Sequence, residues 1–105
     1  MSFEIVQGDL EPDMLLTCSV NGIVENISDS TARVMRWHKP DGTEVDVALT
    51  TVNLTLGQVK RVWVAGDTSI PGIHLGRIIV TRANGENQTF PSDGTYFVWW
   101  VHPSS

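Results

Sequence analysis

Turn-forming residues recur along this chain at intervals of about a dozen residues, and they separate runs that are rich in β-branched and aromatic side chains. Pro40, Asp41 and Gly42 separate two such runs, and Asn84 and Gly85 separate two more. These residue types favour tight turns because they preset or tolerate the backbone angles of a chain reversal. Apolar residues do not keep helical spacing over any window of a dozen residues without an interrupting Gly, Pro or Asn. The sequence therefore predicts an all-β fold.

The runs between the turns predict seven or eight strands. They cover residues 3–6, 14–20, 31–38, 43–49, 58–64, 73–82, 88–90 and 95–101, and residues 51–55 are a candidate short strand. The strongest hairpin signal is Lys39-Pro40-Asp41-Gly42, because a Pro and an Asp-Gly pair stand between two apolar runs. Short strands at this spacing are typical of an antiparallel β-sandwich.

The length and composition predict one folded domain. A chain of 105 residues, 41% of them apolar and 18% charged, has room for one two-layer core. We place the domain at residues 1–102 and a loose C-terminal end at residues 103–105. Cys18 is the only cysteine, so no disulfide forms within the chain, and its apolar neighbours predict a buried thiol. This cysteine usage favours folding in a reducing cytoplasm.

Charge and motif content argue against several classes of function. The formal net charge is −5 and the seven Lys and Arg residues are spread singly, so we expect no nucleic-acid binding. The apolar runs are far shorter than the roughly 20 residues that cross a bilayer, so we expect no membrane association. His38, His74 and His102 have no second ligand at metal-binding spacing, and no phosphate-binding glycine pattern occurs. We therefore expect no enzymatic activity, no cofactor and no metal ion.

The four tryptophans are the most unusual feature of the composition, and Trp99 and Trp100 are adjacent. Neighbouring strand residues point to opposite faces, so one of this pair cannot face a two-layer core. The row that does not face the core is expected to form a protein contact surface; the alternative is that the N-terminal segment or a loop covers it. If Trp99 is in the core, the candidates shift to Tyr96 and Trp100. The full set of candidate contact residues is Tyr96, Phe97, Trp99, Trp100 and His102, with Trp37 and Trp63 as secondary candidates.

Three segments combine strands and turns in a distinctive order: residues 3–12, residues 31–37 and residues 63–94. The first segment contains a Gly-Asp pair before the second strand, and the last contains Gly66-Asp67, Pro71-Gly72, Asn84-Gly85 and Ser92-Asp93-Gly94. Together they resemble the small Ig-like domains of tailed-bacteriophage structural proteins. Those proteins include the N-terminal domain of the baseplate upper protein family and short proteins encoded among phage head and neck genes.

The resemblance implies an Ig-like or fibronectin-like antiparallel β-sandwich with a non-enzymatic structural role in the virion. The position implied is the head, neck, tail or baseplate, and a capsid-associated or head-to-tail connector protein suits a single small domain. The implied partners are copies of the chain itself or other phage structural proteins. The protein would fold in the bacterial host cytoplasm and then join the virion. The sequence departs from the family at Arg61 and His74, where aromatic residues are usual. Two interpretations are open: the two residues form a neighbouring polar pair across the sheet, or the departure is a local packing variation.

Two other functional classes remain open at the level of sequence. A carbohydrate- or receptor-binding module also displays Trp and Tyr on a sheet face, but adjacent Trp99 and Trp100 cannot both line one platform. A small hydrolase would need clustered carboxylates or a His-carboxylate pair in a concave site. The carboxylates of this chain are interpreted instead as solvated charges at turns and strand edges.

Overall fold

A computed structural model describes residues 3–104 of the chain. Within them, eleven strands and one short 3₁₀ helix make up the regular structure, and no α-helix occurs. The predicted all-β class is confirmed. The strands are β1 (Phe3–Val6), β2 (Met14–Thr17), β3 (Ser19–Val20), β4 (Ile23–Val24), β5 (Ser30–His38), β6 (Glu44–Ala48), β7 (Thr50–Asn53), β8 (Gln58–Arg61), β9 (Gly72–Arg82), β10 (Asn87–Phe90) and β11 (Phe97–His102); the 3₁₀ helix is Leu54–Leu56.

The strands form two main sheets and a small hairpin. The larger sheet has the order β1-β11-β9-β5-β6, and β10 also pairs with β9. The smaller sheet has the order β2-β8-β7, and β3 pairs with β4 alone. All pairings are antiparallel except one: β1 runs parallel to β11, with Phe3 opposite Trp99 and Val6 opposite His102. The antiparallel prediction was wrong for this pair. Only strands joined by a tight hairpin must be antiparallel, and β1 and β11 come from the two ends of the described chain.

The predicted hairpin at residues 39–42 is confirmed. Strands β5 and β6 pair in antiparallel register, with His38 opposite Glu44. The backbone N–H of Lys39 donates to the carbonyl of Thr43 at 2.8 Å, and the N–H of Thr43 donates to Oδ1 of Asp41 at 2.9 Å. The Asp side chain therefore closes the turn in the way that makes Asp common there.

The predicted strand at residues 14–20 is interrupted at Cys18. The backbone N–H of Cys18 donates to the carbonyl of Gly57 at 2.8 Å, and its carbonyl accepts from Glu25 at 2.9 Å. Gly57 has φ +68°, and a Cβ on it would lie 2.6 Å from the carbonyl oxygen of Cys18. A glycine is therefore required at this crossing. The interruption, together with the two-residue hairpin β3–β4, explains why the sequence predicted fewer strands than the structure has.

The two sheets share one apolar core. Its members are buried side chains from both sheets and from the connections between them: Ile5, Met14, Leu16, Cys18, Ile27, Met35, Trp37, Leu49, Val59, Trp63, Ile78, Val80, Phe90, Trp99 and Val101. Three tryptophan rings meet inside it: the ring centroids of Trp37 and Trp99 are 5.5 Å apart, and those of Trp37 and Trp63 are 6.0 Å apart. After β11, Pro103 and Ser104 are exposed and lie outside any strand, while Ser105, part of the predicted loose end, is outside the described residues.

Candidate contact surface

The side chains of β11 alternate between the core and the solvent, as the sequence predicted. Trp99 and Val101 are fully buried and Phe97 is half-buried against the core. Val98 and Trp100 point outward and are 45% and 44% exposed. The structure therefore decides which of the two rows faces inward: the row of Trp99 does.

Three of the residues named as candidate contacts are core residues instead. Trp37 and Trp99 are fully buried, and Trp63 is 4% exposed. The ring of Trp99 stacks on that of His74, with centroids 5.6 Å apart and an interplanar angle of 18°. These three tryptophans have no surface to offer a partner. Phe97 packs against the core and contributes only its exposed part, so the outward candidates are Tyr96, Trp100 and His102.

The outward side of the larger sheet, which we call the outer face, carries an apolar centre. Residues directly opposite each other in neighbouring strands point to the same face, so the register identifies its members. Trp100 is opposite Ile73, and Val98 is opposite Leu75. Val6 joins them from β1, next to His102. The outer patch consists of these apolar residues: Val6, Ile73, Leu75, Val98 and Trp100.

One side of the outer patch is acidic. Nε2 of His102 lies 2.6 Å from Oε1 of Glu4, and because a carboxylate only accepts, the imidazole donates. The rings of His102 and Trp100 are stacked, with centroids 5.4 Å apart and an interplanar angle of 10°. Glu4 is opposite Trp100 in the register. The carboxylate is therefore held at the border of the patch, next to its largest apolar side chain.

The opposite side of the outer patch carries a guanidinium group. Arg77 lies over the ring of Tyr96, 4.2 Å from the ring centroid. Its Nη2 donates to the carbonyl of Gly94 at 2.7 Å and its Nε donates to that of Thr95 at 3.3 Å. Within residues 3–104, no carboxylate forms a salt bridge with it. Tyr96 is thus a half-buried support for Arg77 at the margin of the face.

The remaining charges of the outer face are paired with one another near the edge strand β6. Arg36 donates from Nε to Oδ1 of Asp46 at 3.1 Å and from Nη2 to Oδ2 at 3.3 Å. The hydrogen bond and the charge of Arg36 hold the pKa of Asp46 below its ordinary value. Nδ1 of His38 lies 3.3 Å from Oε2 of Glu44. These groups border the apolar centre on the side of β6, and Arg36 is paired there with carboxylates.

Arg61 and His74 belong to different sheets and are not neighbours across a sheet, so the first of the two interpretations was wrong. Arg61 forms a salt bridge of 2.9 Å with Asp67, and its Nη1 donates to the carbonyl of Ala48 at 3.0 Å. His74 is fully buried in the core and hydrogen-bonded to Trp37. No sequence signal indicated this burial, because a histidine in a strand is equally compatible with either face.

A groove of about 510 Å³ lies where the smaller sheet meets the beginning of β11. It is lined by the four residues of β2, by the first residue of β1 and by residues at and just before the start of β11: Phe3, Met14, Leu15, Leu16, Thr17, Tyr96, Phe97 and Val98. Its lining is mainly apolar and contains no carboxylate, histidine or cysteine. The groove therefore resembles a contact site more than a catalytic one.

The part of the chain that the structure describes contains no group of three His, Cys, Asp or Glu residues arranged to hold a metal ion. Between residues 3 and 104, no helix has the length and apolar content that a membrane crossing requires. No family model, curated protein or solved structure matches the chain significantly. The geometry of the chain itself is therefore the basis for assigning a function.

Proposed function

We propose that this protein is a non-enzymatic structural component of a tailed-phage virion, which assembles through the outer face of its larger sheet. The observation that carries the proposal is the outer patch. Val6, Ile73, Val98 and Trp100 are each more than 40% exposed, although they adjoin one another on one sheet face. Contiguous apolar surface of this kind is typical of a protein contact site.

The strand order supports the Ig-like sandwich that the resemblance implies. In a variable-type Ig domain, strands C, C′, C″, F and G share one sheet, and strands A, B, E and D form the other. The orders β11-β9-β5-β6 and β2-β8-β7 agree with this arrangement. Trp37 also agrees, because it is a buried tryptophan on β5, the third strand of the chain when the two-residue strands β3 and β4 are left out. The disulfide of antibody domains has no counterpart, since Cys18 is the only cysteine.

The proposal also accounts for the position of the charges. The apolar centre of the outer face has a polar rim, with Glu4 and His102 on one side and Arg36 and Asp46 on the other. An apolar centre and a polar rim are the usual anatomy of a protein interface. In the assembled particle, the patch would be buried and the rim would fix the orientation of the partner.

The test uses the phage that encodes the chain. Quantitative mass spectrometry of purified particles should find the protein at a fixed copy number. Trp100→Ser should lower that copy number several-fold while the isolated variant stays folded and loses no more than about 1 kcal/mol of stability. Val24→Ser is the matched control, because Val24 is 47% exposed but lies on β4, outside the outer face. Absence of the protein from purified particles would contradict the proposal.

A carbohydrate- or receptor-binding module is the second candidate function. Trp100 is an exposed ring next to the hydrogen-bonding pair of Glu4 and His102, a combination that can hold a sugar ring. His102 stacks on the indole of Trp100, which remains 44% exposed and so is accessible to a ligand. Saccharide-induced changes in tryptophan fluorescence that disappear in Trp100→Ser would favour this candidate over assembly.

A further inference from the structure

Glu4 and Arg77 lie at opposite corners of the outer patch, with Val98 between them. Glu4 is opposite Trp100, and Val98 is two residues before Trp100 on β11. Arg77 is two residues beyond Leu75, the residue opposite Val98. At about 4.8 Å per strand and about 3.3 Å per residue, the two charged residues are about 16 Å apart across the sheet. Val98 is near the midpoint of the line that joins them.

Glu4 and Arg77 are also the charged residues of the outer face that have no permanently charged partner of opposite sign. Glu4 contacts an imidazole, and Arg77 contacts carbonyl oxygens and the ring of Tyr96. Arg36, by contrast, is paired with carboxylates on β6. The face therefore presents one available anion and one available cation, on either side of an apolar centre.

We infer that the outer face binds a second copy of this chain, sheet against sheet, with Glu4 of each copy over Arg77 of the other. The two-fold axis lies between the two facing sheets, above Val98, and is perpendicular to the line from Glu4 to Arg77. Rotation about this axis places Glu4 of each copy opposite Arg77 of the other. Both salt bridges then form at once, and the two outer patches cover each other. This is an isologous contact, in which one surface is complementary to itself. The inference rests on the proposed function, since it names the partner of the same surface.

The charge pattern favours a second copy over an unrelated partner. A partner with a uniformly acidic or basic surface would satisfy one corner and repel the other. The chain has a net charge of −5, so two copies repel each other overall. A contact that brings opposite charges together locally offsets part of this repulsion.

The small area of the face favours a weak, reversible dimer over a permanent one. Five strands at about 4.8 Å, with about six residues of about 3.3 Å each, make a face of about 24 by 20 Å. Its flat projection of about 480 Å² is below the roughly 800 Å² of accessible surface per partner that a standard interface buries. The dimer should therefore depend on concentration rather than be permanent.

Sedimentation velocity across a micromolar concentration series tests the inference. The wild type should shift from monomer to dimer, and Trp100→Ser should remain monomeric. Glu4→Arg and Arg77→Glu alone should each raise the dissociation constant about tenfold or more, because each places like charges opposite each other. The double variant Glu4→Arg/Arg77→Glu should restore dimerisation. Loss of the internal contacts of Arg77 cannot produce such a rescue, so the double variant separates a role in contact from a role in folding.

Two results would overturn the inference. One is a wild type that stays monomeric, and the other is a double variant whose dissociation constant is no lower than that of the more weakly dimerising single variant. The particle experiment is independent of both results. Protein present in particles but monomeric in solution would refute the dimer and leave the structural role standing. Protein that dimerises but is absent from particles would refute the structural role and leave the dimer standing.

Discussion

The indole N–H of Trp37 donates a hydrogen bond of 2.9 Å to Nδ1 of His74, and both side chains are fully buried. Since Nδ1 accepts, the proton of the imidazole is on Nε2, which donates to the carbonyl of Ile70 at 2.8 Å. The buried ring is therefore neutral and both of its nitrogens are satisfied. A second proton would have to go on Nδ1, where it would face the indole N–H.

This arrangement predicts a loss of stability in weak acid. Burial lowers the pKa of His74 below its ordinary value of 6.5, and the charge of Lys39 adds to the effect, while the hydrogen bond to Ile70 and the charge of Asp41 oppose it. The unfolded chain therefore takes up the proton at a higher pH than the folded chain does. The contribution of His74 to stability is complete above pH 6.5 and is lost as the pH falls below that value toward the lowered pKa.

Urea unfolding between about pH 7.5 and about pH 5 measures the effect. The free energy of unfolding of the wild type should fall over this range. His74→Gln should be less stable at neutral pH but should show a smaller fall. Val24→Ser is the control, because Val24 is exposed and carries no titratable group, and it should keep the wild-type dependence. Equal slopes for the wild type and His74→Gln would contradict the prediction.

The adjacent tryptophans of β11 should differ sharply in their effect on folding. Trp99 is fully buried among other aromatic rings, so Trp99→Ala should cost about 3–5 kcal/mol of stability. Trp100 is 44% exposed, so Trp100→Ala should cost about 1 kcal/mol or less. Denaturant unfolding of the two variants provides the comparison. Similar losses would show that the two rings do not face different environments.

Two arginine–aspartate pairs differ in burial and should differ in strength. The side chains of Arg61 and Asp67 are 12% and 11% exposed, and Asp67 also accepts from the backbone of Val64 at 2.9 Å. Asp67→Ala leaves a buried guanidinium without its partner and should cost about 3 kcal/mol. In the surface pair, the side chains of Arg36 and Asp46 are 45% and 48% exposed, so Asp46→Ala should cost much less stability than Asp67→Ala does.

Salt provides a second readout for these pairs. Salt screens exposed charges more than buried ones, so added NaCl should reduce the effect of Asp46→Ala and should change that of Asp67→Ala little. The measurement is the midpoint of urea unfolding at low and high salt. A strong salt dependence for Asp67→Ala would mean that its salt bridge is solvated.

Cys18 should be inert in the folded protein. Burial raises the pKa of its thiol to about 11, although the charge of Arg82 opposes this, and the side chain has no exposed surface. Thiol reagents attack the thiolate, so labelling at mildly alkaline pH should be slow in buffer and fast in denaturing urea. Absorbance-based thiol titration with and without urea measures both rates. Rapid labelling of the folded protein would contradict the buried position of Cys18.

The sequence predicts local features of this fold well. The turn at residues 39–42 depends on its own side chains, since Asp41 accepts from Thr43 within the turn. The alternation of β11 also follows from strand geometry alone. Neither feature needs information about distant parts of the chain.

The sequence alone did not predict the features that depend on contacts between residues far apart in the chain. The choice between Trp99 and Trp100 depends on which face meets the smaller sheet, and both rows are apolar. The parallel pairing of Phe3 with Trp99 depends on the path of the whole chain, because parallel and antiparallel neighbours have the same local pattern. The burial of His74 depends on the indole of Trp37, a partner thirty-seven residues away.

The parallel pairing of β1 with β11 has a mechanical consequence. Polypeptide attached before Phe3 and polypeptide attached after His102 leave the paired strands in opposite directions. Tension along the chain therefore pulls the two strands past each other, and it loads their hydrogen bonds together instead of breaking them one at a time. The contact between the two ends of the domain is therefore loaded in shear, and tension applied to the two ends should separate these strands less easily than if their hydrogen bonds broke in sequence.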